Sequence, residues 1–93
     1  MKIRYRPRAL ADIESIFQFI NERSPAGARN VLHALADAID EIGAHPLGSP
    51  VASDQDIRVK ILTRYRYKIF YSIVDDAFVE ILHVRHGARR PWV

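Results

Sequence analysis

The residues best placed to do chemistry together are Arg66, Lys68, His83, Arg85 and His86, all in the last third of the chain. Tyr65 to Val74 and Ala77 to Val84 are apolar stretches on either side of Asp75-Asp76, a pattern that predicts a β-hairpin around a two-residue acidic turn. That turn sets Ser72 opposite Val79, Phe70 opposite Ile81, Lys68 opposite His83 and Arg66 opposite Arg85. Arg66, Lys68, His83 and Arg85 then share one face, and Tyr67, Ile69, Tyr71, Leu82 and Val84 take the other. Glu80 falls on the face opposite Lys68. A face carrying several cations suits an acidic partner or a polyphosphate. A histidine beside it is able to move a proton near neutral pH.

Other chemistries find little support. His83 and His86 have H-x-x-H spacing, but on a strand that sends the two rings to opposite faces, so no metal site is expected. The chain has no cysteine, hence no disulfide and no thiolate ligand. It shows no nucleophile motif and no glycine-rich phosphate loop, and no cofactor is expected. Tyr65, Tyr67, Tyr71 and Phe70 read first as packing residues, with base stacking as the alternative.

The elements that must carry these residues follow from periodicity. Lys2 to Arg6 alternates as a short strand that ends at Pro7. From Arg8 to about Glu22, Leu10, Ile13, Phe17 and Ile20 recur at helical spacing, with Ile16 widening the stripe. Ser24 and Pro25 supply the N-cap and first residue of a second helix, whose seam is Ala28, Leu32, Leu35, Ile39 and Ile42. Gly43 and Pro46 end it, and Pro46 to Gln55 is a loop. Ile57, Val59 and Ile61 then alternate with Arg58 and Lys60 as an amphipathic strand. The tail beyond Val84 is basic, with Arg89, Arg90 and an aromatic, Trp92, next to the last residue.

The 93 residues form a single domain (residues 1–93) with a thin core, since a chain of this size buries only ~60–65% of its unfolded surface. An apolar fraction of 48% with 27% charged residues fits a folded globular protein. Lys and Arg outnumber Asp and Glu by 14 to 11, and most of the cations lie in the first eight positions or after Asp56. No stretch has the length of a membrane span and no signal peptide is visible, so a cytoplasmic location is expected.

This α+β order, strand, two-helix hairpin, three-strand meander and basic tail (β-α-α-β-β-β), resembles the toxins of bacterial type II toxin–antitoxin modules, the RelE/ParE superfamily. The resemblance is carried by Ala11-Asp12-Ile13-Glu14-Ser15-Ile16, the end of the second helix through His45-Pro46-Leu47-Gly48, Ile57-Arg58-Val59, Tyr67-Lys68-Ile69-Phe70-Tyr71, and Val79 to His86. It implies an antiparallel-dominated sheet packed on a helix hairpin, and a cognate antitoxin as partner in a hetero-oligomer. It also implies growth arrest and plasmid stabilisation, by one of two routes. One branch cleaves messenger RNA on the ribosome; the other, ParE-like, poisons DNA gyrase.

In the ribonuclease branch an arginine commonly stands where this chain has Lys68, and lysine cannot reproduce its two-pronged grip on phosphate. A ribonuclease reading would use Arg58, Lys60, Lys68 and Arg85 on the phosphate and His86 as acid–base. The ParE-like reading is favoured, with Arg66, Lys68, His83, Arg85, His86, Arg89, Arg90 and Trp92 meeting the target. Leu10, Ile13, Phe17 and Ile20 would meet the antitoxin. A non-toxic module that only binds antitoxin is the remaining alternative.

Overall fold

The computed structural model describes residues 1–52 and 55–87. Within them the elements are β1 (Lys2–Tyr5), α1 (Pro7–Asn21), α2 (Pro25–Ala44), β2 (Arg58–Leu62), β3 (Tyr67–Val74) and β4 (Phe78–His86). The strands form one mixed sheet in the order β1-β4-β3-β2, with β1 parallel to β4 and the other pairs antiparallel. Both helices pack on one face of it, and the core lies between.

The helix boundaries have local causes. Pro7 opens α1 and Pro25 opens α2, each where the first N–H groups lack an intrahelical acceptor. Ser24 accepts from the Gly27 N–H at 3.0 Å and caps α2 as expected. The α2 seam is Ala28, Val31, Leu35, Ala38, Ile39 and Ile42, all buried, whereas Leu32 is half-buried.

The α1 stripe differs from the expected one by a rotation. Ala9 is fully buried, Ile13, Ile16 and Ile20 pack on the core, and Leu10 stands 54% exposed. The cause is a polar contact. The Asp12 carboxylate accepts the Val84 N–H at 3.0 Å, which turns the Ala9–Asp12 face, three residues apart, toward β4.

That contact closes a gap in the sheet. β1 pairs with β4 only as far as Ile81, where the Arg6 N–H takes the Ile81 carbonyl at 3.0 Å and the chain turns into α1. Beyond Ile81, β4 would present an open edge to α1. Asp12 supplies the acceptor that β1 no longer provides.

The β3–β4 register departs from the expected one in two places. The turn uses three residues, Asp75 to Ala77, closed by the Ala77 N–H on the Val74 carbonyl at 2.9 Å. Asp75 and Asp76 both have φ 53°, a left-handed conformation that aspartate tolerates better than most residues. Val74 therefore faces Phe78, Ser72 faces Glu80 and Tyr71 faces Ile81. Leu82 is then skipped as a β-bulge, so that Phe70 faces His83, Lys68 faces Arg85 and Tyr67 faces His86. Arg66 sits in the β2–β3 turn and faces no residue of β4.

The bulge lets Val79, Ile81 and Val84 all enter the core, where each is at most 1% exposed. Ile81 thus points inward, not outward as the simple alternation has it. Tyr67, Ile69 and Tyr71 line the same face, and the Tyr71 hydroxyl donates to the Pro46 carbonyl at 2.7 Å.

Replacing Asp12 by alanine leaves the Val84 N–H without its acceptor. Asp12→Ala is expected to lower stability by about 1–3 kcal/mol in urea denaturation, and Asp12→Asn by less, because the amide oxygen still accepts.

Candidate functional site

Cross-strand partners point the same way, so the face of the sheet away from the helices is laid out in rows. At the open end of the hairpin stand Ile61, Lys68 and Arg85, on β2, β3 and β4. The next row is Val59, Phe70 and His83, and toward the turn come Ser72, Glu80 and, from β1, Arg4. The bulge at Leu82 is what brings Glu80, His83 and Arg85 all to this face. Glu80 accordingly shares the face of Lys68, contrary to the expected register, and pairs with Arg6 at 3.6 Å.

Aromatic rings fill the spaces between charges. Phe70 and His83 stack at 4.5 Å between centroids with planes 7° apart. The Arg85 guanidinium carbon lies 5.9 Å from the Phe70 centroid, and that of Arg4 lies 4.0 Å from the Phe78 centroid. Neither the stacked pair nor the Arg4–Phe78 contact was foreseen from sequence. The only signal available was the presence of aromatic residues at both outward and inward positions.

Arg66 and Lys68 meet in a shallow depression of about 310 Å³ that Ile61, Thr63 and Gly87 also line. Gly87 donates its N–H to the Arg66 carbonyl, tying the end of β4 to the β2–β3 turn. A Cβ at position 87 would lie 3.1 Å from that oxygen and 3.6 Å from the Lys68 side chain, so glycine fits this close approach. Arg66, Lys68 and Arg85 are thus neighbours at one end of the exposed face.

The other candidates divide between the two faces. Arg58 and Lys60 stand opposite Tyr71 and Ile69, on the helix side of β2. There Arg58 donates to the Ser49 carbonyl at 2.6 Å, and Lys60 lies 3.9 Å from Glu41. They cannot act with Lys68 and Arg85 on one phosphate. His86 is also on the helix side, edge-on to Tyr67 with centroids 5.0 Å apart. The proposed set Arg58, Lys60, Lys68, Arg85 and His86 is therefore split by the sheet. Of the antitoxin set, Ile13 and Ile20 are engaged with the core, Phe17 is half-buried and Leu10 is exposed. Tyr67 and Tyr71 are core residues and are not available for stacking. Arg89, Arg90 and Trp92 lie outside the described residues. Among the described residues no group of His, Asp and Glu is arranged to hold a metal ion, and no helix is long and apolar enough to cross a membrane.

His83 is the imidazole on the cationic face. Burial holds its pKa below the ordinary 6.5, the Arg85 and Arg8 charges add to that, and Asp12 opposes them. Its Nδ1 has no hydrogen-bond partner among the described residues. Because the folded state resists protonation, His83 adds no penalty above pH 6.5. It destabilises the fold as pH falls from 6.5 toward its lowered value. His83→Phe, which keeps an aromatic partner for Phe70, is expected to lose less melting temperature than the unmodified chain between pH 7 and pH 5, as read by thermal denaturation.

Comparison with known proteins bears on this geometry. The family model described as "ParE toxin of type II toxin-antitoxin system, parDE" matches residues 3–91. A toxin named RelE2 from Caulobacter vibrioides is 29% identical over 82 residues, covering 88% of this chain and 90% of that protein. A protein named putative toxin Y4kP from Sinorhizobium fredii is 31% identical over 91 residues, covering 98% and 92%. The fold matches a chain of the chromosomal ParDE system from P. aeruginosa with a TM-score of 0.79 at 16% identity, over 92% of this chain and 95% of that one. It matches the isolated E. coli RelE toxin with a TM-score of 0.67, also at 16% identity, over 96% and 86%. With a mixed sheet, a helix hairpin and a family match along nearly its whole length, the chain belongs to the ParE toxin family of type II toxin–antitoxin systems, within the RelE/ParE superfamily, and a cognate antitoxin is its partner.

Proposed function

We propose that the protein is a ParE-like toxin that arrests growth by inhibiting DNA gyrase in the cytoplasm, without catalysing a reaction of its own. The observation that carries this reading is that the sheet separates the clustered cations from His86, the histidine expected as acid–base. Lys68 and Arg85 stand on the exposed face with Arg66 beside them, while His86 lies behind the sheet against Tyr67. His83, which does share the cationic face, is stacked on Phe70 and held below its ordinary pKa. A face of this kind suits an acidic surface, and the His83 ring on it is already engaged in stacking with Phe70. The basic residues Arg89 and Arg90, with Trp92, extend the contact surface in this reading.

The antitoxin would neutralise the toxin by covering part of this molecule. Of Leu10, Ile13, Phe17 and Ile20, Leu10 is the one left exposed as an apolar anchor. A strand added beside β2 is the alternative. β2 is the last strand of the sheet, its first residues are bridged by Val51, and Ile61 beyond them is 57% exposed.

A ribonuclease acting on ribosome-bound mRNA is the second reading. It is favoured by the similarity to a protein named RelE2 and by Glu80, a carboxylate on the same face as Lys68. In that case Glu80, two rows from Lys68 and paired with Arg6, would have to act where His86 cannot.

Purified protein at micromolar concentration is expected to block gyrase supercoiling and to leave transcripts intact in a translation extract. The double variant Lys68→Ala with Arg85→Ala is expected to need about tenfold more protein for the same effect, as for a loss of about 1.4 kcal/mol of binding. Unaltered supercoiling together with cleaved transcripts would replace this reading with the second. Absence of both effects, and of growth arrest when the chain is expressed alone, would leave an antitoxin-binding module.

A further inference from the structure

Arg66 occupies a backbone conformation that ordinarily selects glycine or asparagine. Its φ is 60°, in the left-handed region that disfavours a Cβ-bearing residue, and arginine has no side-chain group that relieves this locally. The conformation is held from both sides. The Arg66 N–H donates to the Leu62 carbonyl at 2.8 Å, and the Arg66 carbonyl accepts the Gly87 N–H. The root of the side chain is therefore fixed while the side chain itself lines the depression shared with Lys68, Thr63 and Ile61.

Neither Arg66 nor Lys68 has an acidic partner among the described residues, whereas Arg6 pairs with Glu80 and Lys60 with Glu41. Two uncompensated cations lining one concavity repel each other, and an anion placed there would relieve both. The depression, about 310 Å³, has room for a phosphate group and part of a sugar. One row along the sheet is the stacked Phe70–His83 pair, with Arg85 beside Phe70. A cationic hollow next to an aromatic step matches the repeat of a nucleic acid strand, phosphate then base. A protein carboxylate would satisfy the charges but would leave the aromatic step unused.

We propose that this depression is a subsite for one phosphate of a DNA strand, and that Arg66 keeps its unfavourable conformation because its guanidinium is the arm that grips that phosphate. The proposal deepens the gyrase reading and rests on it for the identity of the strand, which would be the DNA that gyrase holds. The subsite itself is testable without gyrase.

The probe is a fluorescently labelled single-stranded thymidine oligodeoxynucleotide, titrated with the full chain by anisotropy at several salt concentrations, with inorganic phosphate as competitor. Arg66→Gly removes the guanidinium and suits the left-handed backbone. It is expected to melt at the same or a higher temperature, to bind about tenfold more weakly, and to lower the slope of log affinity against log salt by about 0.7, the value for one phosphate on a single strand. Arg66→Lys is expected to retain that slope, since it retains the charge. The proposal is overturned if Arg66→Gly binds as tightly as the unmodified chain with an unchanged slope, or if the unmodified chain shows no saturable binding below millimolar concentration. Loss of binding accompanied by a lower melting temperature in Arg66→Gly would also overturn it, as that marks a structural role. Competition by inorganic phosphate at micromolar concentration would show a site for free phosphate and likewise overturn a strand-binding role. A chain that binds the oligonucleotide in this Arg66-dependent manner yet leaves gyrase supercoiling unaltered would refute the gyrase reading and leave the subsite standing.

Discussion

The constraint on which the rest of the molecule depends is the hydrogen bond from the Val84 N–H to the Asp12 carboxylate, made where β1 has ended and β4 continues. It does three things at once. It satisfies a backbone donor that would otherwise face the helix unpaired, and it fixes the rotation of α1 so that Ala9 packs inward. It also sits beside the bulge at Leu82, where the strand changes phase. Without that phase change a strand with Val79 and Ile81 in the core would drive His83 and Arg85 inward after them. Burying the Arg85 guanidinium is far costlier than one extra residue in a ladder.

The two faces of the sheet follow from this. Behind it, Tyr67, Ile69, Tyr71, Val79, Ile81 and Val84 form one core with Ala9 of α1 and the α2 seam. In front, cations, aromatic rings and the Arg6-paired carboxylate of Glu80 alternate along the rows. Small domains have little apolar surface to spare, and the half-buried Phe70, His83 and Phe78 show some of it kept on the outside. The left-handed Arg66 belongs to the same pattern, a local cost accepted at the rim of the exposed face.

Much of the fold was legible because its signals are local. Ser24-Pro25 marks the start of α2 by chemistry that needs no partner elsewhere in the chain. The β-α-α-β-β-β order follows from periodicity together with the positions of proline and glycine. What failed were inferences that needed strict alternation across long stretches. The adjacent pair Ile81-Leu82, where apolar positions change from odd to even, is the trace of the bulge in the sequence, and the hairpin read as uniform passes over it. The two offsets, one at the turn and one at Leu82, happen to add to a whole pleat repeat. For that reason Lys68, His83 and Arg85 share a face in both registers, while the placement of Glu80 and Ile81 does not survive. The side of β2 that Arg58 and Lys60 occupy was not legible at all, since an amphipathic edge strand carries no internal sign of which face meets the helices. Leu10 misled for a related reason: the side chain that decides the α1 rotation is the polar Asp12, which a hydrophobic stripe does not count.

The register of the β3–β4 hairpin is open to direct measurement in solution. Because the Val84 N–H is turned toward Asp12 and away from β3, Ile69 and Val84 form a non-hydrogen-bonded cross-strand pair, the kind whose α-protons approach most closely. A nuclear Overhauser spectrum of the full chain is expected to show a strong α-proton cross-peak between Ile69 and Val84. A strong cross-peak between Ile69 and Leu82 in its place would mean an unbulged hairpin with a two-residue turn, and would contradict the arrangement of the exposed face.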